Sequence, residues 1–203
     1  MRFLEKPDTA PQAFGGLTYA TKSHRPHIRR LLVDLQRGYC AYSERWLGEP
    51  LDSEEIEHFN DDIKDSEHDG FFNWYVVLRK ANQFKMGKHW SEYQPLPEPY
   101  TAEVQQRLDY REGLFCAKNQ GDQPISNLIE FTGAKDYPVV AERRNHISRI
   151  RWYRTQLTAE QLEQMFREDP RQLSFPTALE VELGIPAFEM IEKLNAPAAQ
   201  TDG

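Results

Sequence analysis

Five side chains between residues 57 and 85 have the types and spacing of a hydrolytic site: Glu57-His58, then Asn73, then Asn82 and Lys85. Breaking a phosphodiester needs an activated water, charge neutralisation at the phosphate and stabilisation of the leaving oxygen. A neutral histidine can take a proton from water near pH 7, and His58 would have that role. Asn73 would orient the imidazole or the backbone beside it. Glu57 and Asn82 offer a carboxylate and a neutral amide oxygen, hard donors suited to Mg²⁺ or Mn²⁺. Lys85 would meet a phosphate as a point charge. Arg79, Lys80 and Lys88 would extend that nucleic-acid-binding surface.

These residues can act together only if the chain folds them together. Ile56-Glu57-His58-Phe59 alternates apolar and polar like a half-buried strand. From Asn73 to about residue 85 the pattern predicts a helix, with Asn73 as its N-cap and Gly87 as its stop. Asn73 and Asn82 would lie on opposite faces of one continuous helix. They share a site only if Asn73 sits at the cap or loop and Asn82 within the helix, where Lys85 is on its face. Upstream, Ile28, Leu31, Leu32 and Leu35 recur at helical spacing, with Gly38 as C-terminal cap. A strand is expected to start at Tyr39-Cys40-Ala41-Tyr42.

Residues 1–23 read as an irregular arm, followed by a short basic stretch, 22–30. The acidic run 49–69 reads as a solvated loop. Three prolines in 94–99 dictate extended chain. Helices are expected at 101–108, 141–156, from Thr158-Ala-Glu-Gln161 onward on a capping box, and around 175–183 and 186–194. The tail 196–203 is small, polar and expected to fray. The fold class is α+β and mainly helical, with a core at 38–90 between an N-terminal arm and helix, 1–37, and a helical region, 91–203.

The window 38–90 resembles the HNH nuclease superfamily and, within it, the PtuB-like HNH proteins of bacterial anti-phage systems. The resemblance rests on Cys40-Ala-Tyr-Ser43-Glu44, Ile56-Glu57-His58-Phe59, Asn73 and Ala81-Asn82-x-x-Lys85, preceded by Gln36-x-Gly38. It implies a ββα-metal core embedded in flanking helices, and a metal-dependent endonuclease acting on DNA or RNA. It also implies an ABC/SMC-like ATPase partner in antiviral defence. The sequence departs from the family where two Cys-x-x-Cys pairs often hold zinc. Here those positions read Cys40 and Ser43, then Leu78 and Ala81. One cysteine cannot make a tetrahedral site, so no structural zinc is expected. Packing by Trp74, Val77, Leu78 and Phe84 would take its place.

Composition narrows the remaining classes. The chain has 203 residues, 39% hydrophobic and 12% aromatic, which excludes a disordered chain. Two cysteines exclude a disulfide scaffold. Apolar runs fall far short of the roughly 20 residues of a membrane span, and no apolar leader opens the sequence, so a cytoplasmic protein is expected. The net charge of −7 speaks mildly against an unaided grip on nucleic acid. Two other classes stay open: a non-catalytic binding subunit on a degenerate HNH scaffold, and a hydrolase of small phosphoesters. The arginine-rich stretch 143–154 reads either as a nucleic-acid face, with Trp152 and Tyr153 for stacking, or as a helix pairing with the acidic loop.

Overall fold

A computed structural model describes residues 1–48 and 52–195. Glu49, where the acidic run begins, and the tail 196–203 lie outside the described residues. Over the described residues the fold is α+β, about 54% helical, with two small antiparallel sheets.

The first sheet pairs β1 (Glu54–His58) with β2 (Trp74–Leu78), His58 opposite Trp74 and Glu54 opposite Leu78. Helix α2 (Arg79–Lys85) follows β2 directly. The helix expected to begin at Asn73 therefore begins at Arg79, and 74–78 is a strand. All five β2 residues are buried. Such an apolar run has no periodicity to separate strand from helix, and its aromatic and β-branched residues favour the strand.

Among the described residues the far edge of β2 has no third strand. Gln36 takes its place: its side-chain amide accepts from Val76 N–H at 2.8 Å and donates to Val76 C=O at 2.8 Å. Gln36 follows α1 (Arg25–Leu35), whose Ile28 and Leu32 are fully buried. The strand expected at 39–42 is reduced to a single bridge, Tyr39 to Trp46. Cys40, Ser43, Leu78 and Ala81 are all buried, and Leu78 N–H donates to Cys40 Sγ at 3.4 Å.

After the 3-10 turn Trp90–Tyr93 and the proline-rich stretch comes α3 (Ala102–Arg107). It stops short because Leu108 opens a hairpin, β3 (Leu108–Arg111) and β4 (Leu114–Ala117), that periodicity did not foretell. The hairpin turns on Glu112 and Gly113, both at positive φ, as a two-residue type I′ turn requires. Five helices follow: α4 (Gln123–Phe131), α5 (Tyr137–Gln156), α6 (Ala159–Glu168), α7 (Pro176–Leu183) and α8 (Ala187–Asn195). The capping box at Thr158 and Gln161 is formed at α6.

The arm is irregular, with 3-10 turns at Arg2–Leu4, Gln12–Phe14 and Lys22–His24. It is nonetheless anchored in the core by Phe3, Leu4 and Phe14. Lys6 is buried there and donates Nζ to the carbonyls of Phe71 and Trp74, with the Tyr75 ring 3.8 Å away. No helix among the described residues is long and apolar enough to cross a membrane.

Candidate functional site

β1 carries the acid and the histidine on opposite faces. Glu55 and Glu57 turn toward α2. Asn82 Nδ2 donates to Glu55 Oε2 at 2.9 Å, and the Lys85 ammonium is ion-paired with Glu57. Lys85 also donates to His58 C=O at 2.9 Å, so it fastens the end of β1 to α2. Glu57 Oε1 is buried without a well-aligned hydrogen bond, despite the adjacent ammonium.

His58 faces the other way. Its Nε2 lies 3.1 Å from Asp69 Oδ2, and the Tyr19 ring meets the imidazole edge-on at 4.3 Å between centroids. The imidazole is buried, 4% exposed. Asp69 is held by Trp74 Nε1–H at 2.7 Å, Asn73 Nδ2–H at 3.0 Å and its own loop's Asp65 N–H at 3.0 Å. Burial pushes the Asp69 carboxyl up. The contact with His58 and the hydrogen bonds from Asn73 and Asp65 outweigh that and hold it below the usual carboxylate value.

Asn73 does not touch His58. Its amide closes the loop 60–73, accepting from Asn60 N–H at 2.7 Å and donating to Asn60 C=O at 3.0 Å, and it reaches the imidazole only through Asp69. It belongs to the turn Phe71–Asn73 ahead of β2 and is not the cap of a helix.

Glu57, His58, Glu55 and Asn82 line one groove of about 530 Å³. Its other walls are Tyr19, Lys22, Arg25 and Arg29 from the arm and α1, and Lys64 from the loop after β1. The anticipated basic residues are elsewhere. Lys85 is buried, 6% exposed, with its charge directed at Glu57 and not at solvent. Lys88 donates to Glu130 C=O at 2.6 Å and lies 3.7 Å from Asp136. Arg79 is exposed but sits 3.6 Å from Glu55 outside the groove. The rim comes instead from the basic stretch 22–30, visible in the sequence as composition but with nothing to bring it to His58. Asp69 sits in the acidic run, where nothing in spacing separates it from its solvated neighbours.

Among the described residues no group of three or more His, Cys, Asp or Glu is placed to hold a metal ion. What the groove offers is three carboxylates and an amide: Glu54, which lies 3.6 Å from Arg29, with Glu55, Glu57 and Asn82. Mg²⁺ keeps several waters and commonly takes only one or two protein carboxylates, so this oxygen set fits a partial shell completed by water and substrate. It does not fit zinc.

The stretch 143–154, on α5, is mostly structural. Arg143 is fully buried against the Phe115 ring at 4.8 Å and donates to Gly113 C=O; Arg144 bonds Glu112 C=O, and Arg154 bonds Leu183 C=O. No protein-family model, curated protein or solved structure matches the chain, and the site's function rests on its own chemistry.

Proposed function

We propose that the protein is a metal-dependent endonuclease of the HNH type that hydrolyses phosphodiesters of DNA or RNA in the groove between β1, α1 and α2. The observation that carries the reading is that Glu57, His58 and Asn82 all border one groove beneath Lys22, Arg25, Arg29 and Lys64, Glu57 and His58 from opposite faces of β1. The order β1, β2, α2 with His58 ending the first strand and Asn82 on the helix suits a ββα-metal core.

In this reading the rim neutralises the substrate backbone. Nε2 of His58 lies 3.1 Å from Asp69 Oδ2 without a well-aligned hydrogen bond, and the nearby carboxylate would favour the proton on that nitrogen. Nδ1 is then the lone pair that takes a proton from water, and Asp69 stabilises the imidazolium that results. Glu57 and Asn82 Oδ1 would hold a Mg²⁺ or Mn²⁺ ion, which would supply charge neutralisation at the phosphate. Lys85 fixes the Glu57 carboxylate and the β1 terminus; Asn73 fixes Asp69. The acidic chain as a whole suits an ABC/SMC-like ATPase partner that adds grip on the nucleic acid.

A second reading has one observation in its favour. The Lys85 ammonium already neutralises Glu57, and the Tyr19 ring covers His58, as would be tolerated in a non-catalytic nucleic-acid-binding subunit.

The test is cleavage of plasmid DNA and tRNA with Mg²⁺ or Mn²⁺, with and without any co-purifying ATPase, by wild type, His58→Ala and Asp69→Asn. Metal-dependent cutting should fall by about 10²–10⁴-fold in His58→Ala and substantially in Asp69→Asn, with nucleic-acid binding retained. Binding without cutting in every condition selects the second reading. Neither binding nor cutting would sink both.

A further inference from the structure

The groove at His58 holds more than the residues its chemistry uses. One wall carries the Tyr19 ring, with the Arg25 guanidinium 4.2 Å from its centroid and the Lys64 ammonium at 5.6 Å. The backbone around Tyr19 is fixed. Arg25 Nε donates to Tyr19 C=O at 2.8 Å, and Thr18 N–H donates to His24 Nδ1 at 3.1 Å. The ring is half-buried and edge-on to the His58 imidazole, so a strand that reached the histidine would pass it.

The charges of the groove are unequally matched. Each of its carboxylates already has a cation. Glu54 lies 3.6 Å from Arg29, Glu55 lies 3.6 Å from Arg79, and Glu57 is ion-paired with Lys85. Arg79 and Lys85 belong to α2 and stand outside the lining, so they neutralise its acids without using up its own cations. Among the described residues Lys22, Arg25 and Lys64 form no ion pair with a carboxylate. In a chain of net charge −7, this concavity therefore keeps a local excess of positive charge.

Building on the reading of this groove as the nucleic-acid site, we infer that it takes an unpaired strand in preference to a duplex, with one base stacked on the Tyr19–Arg25 pair and the flanking phosphates on Lys22 and Lys64. Single-strand sites combine a basic groove with aromatic rings on which bases stack, and bases stack on arginine planes as well. A duplex keeps its bases stacked on one another and offers the groove only its backbone. It is also stiff, with a persistence length of about 150 base pairs. It cannot fold into a concavity of about 530 Å³ to reach an imidazole that is 4% exposed. A single strand turns at each nucleotide and can.

Fluorescence anisotropy of the full chain in EDTA tests this by binding alone, apart from cleavage. The probes are single-stranded DNA and RNA of about eight nucleotides, within the range of single-strand sites, and the duplexes of the same sequence. The single strand should bind at least about tenfold more tightly than its duplex. Tyr19→Leu should weaken the single strand about tenfold and leave the duplex nearly unchanged, while Tyr19→Phe, which keeps the ring, should bind like wild type. Lys22→Gln and Lys64→Gln should each lower the log–log salt slope by about 0.7. Lys118→Gln, an exposed lysine after β4 and outside the groove, should alter neither affinity nor slope. Melting curves establish that each variant is folded, and the exposed lysines and the strand comparison keep the test alive if Tyr19→Leu is not. The inference is overturned if the duplex binds as tightly as the single strand, if neither binds, or if folded Tyr19→Leu and both lysine variants bind like wild type. The nuclease itself is judged separately: His58-dependent cutting without a preference for unpaired strands would keep it and discard only this inference.

Discussion

His58 is turned toward Asp69, and His146 toward Arg149; the two histidines show opposite uses of the same side chain. Burial and the Arg149 guanidinium push the His146 imidazole down from an ordinary 6.5 to about 4, more than the bond to Gln172 C=O can offset. The unfolded chain therefore binds a proton that the fold refuses. The stabilisation from keeping His146 neutral is complete above pH 6.5 and is lost as pH falls from there toward 4. Its size is on the order of 3 kcal/mol. Urea denaturation across that window should show stability falling in wild type and a flatter profile in His146→Gln; parallel profiles would place the acid sensitivity elsewhere. At this scale the sequence was legible in part. Glu57, His58 and Asn82 stand out by type and spacing and do line one groove. Lys85 stands out too, but spacing cannot show that burial directs its charge inward. Asp69 was illegible because a carboxylate's partner is fixed by loop closure, here through Asn73 and Asn60, and not by local pattern.

Helix and strand boundaries followed from local signals wherever one face is buried and the other wet. α6 carries its capping box, and α7 and α8 fall close to their expected ranges; β1 is a strand, but its burial deepens toward His58 instead of alternating. β2 reads as helix because both its faces are covered, and the β3–β4 hairpin has Glu112-Gly113 where the stronger hairpin signal would be Asn-Gly or Asp-Gly. Packing between elements sets its own constraints. α2 and the end of α4 meet at Gly133, whose φ of +70° is left-handed and where an added Cβ would stand 2.6 Å from Phe84 Cβ. Gly133→Ala combines backbone strain with overpacking and should cost about 1–3 kcal/mol. Urea denaturation checks this, and a change below ~0.5 kcal/mol, within ordinary surface variation, would mean that α2 gives way freely. Since α2 carries Asn82 and Lys85, the same variant reports on how rigidly that side of the groove is built.

For the whole molecule, one hydrophobic core runs from Met1 through β2 to Ile191. Phe59 packs on Phe131 of α4 with ring centroids 5.3 Å apart, and Phe3 stacks on Tyr39 at 5.1 Å. Glu44 gathers distant chain at one carboxylate: the Met1 amino group at 2.8 Å and the Thr177 hydroxyl at 2.8 Å. The division into an arm, a 38–90 core and a helical region orders the sequence, but the three share this interior. Gln36, Lys6 and Tyr19, all outside 38–90, complete the edge of β2, the turn before it and the cover of His58. The segment that bears the candidate chemistry is thus no transplantable cassette. Excised as residues 38–90, it should give the collapsed amide dispersion of an unfolded chain in a two-dimensional NMR spectrum, whereas a well-dispersed spectrum would make it a self-sufficient unit. Grafting this chemistry onto another scaffold would mean carrying over the arm that lies across it, so any insertion or recombination that spares the site must spare the arm as well.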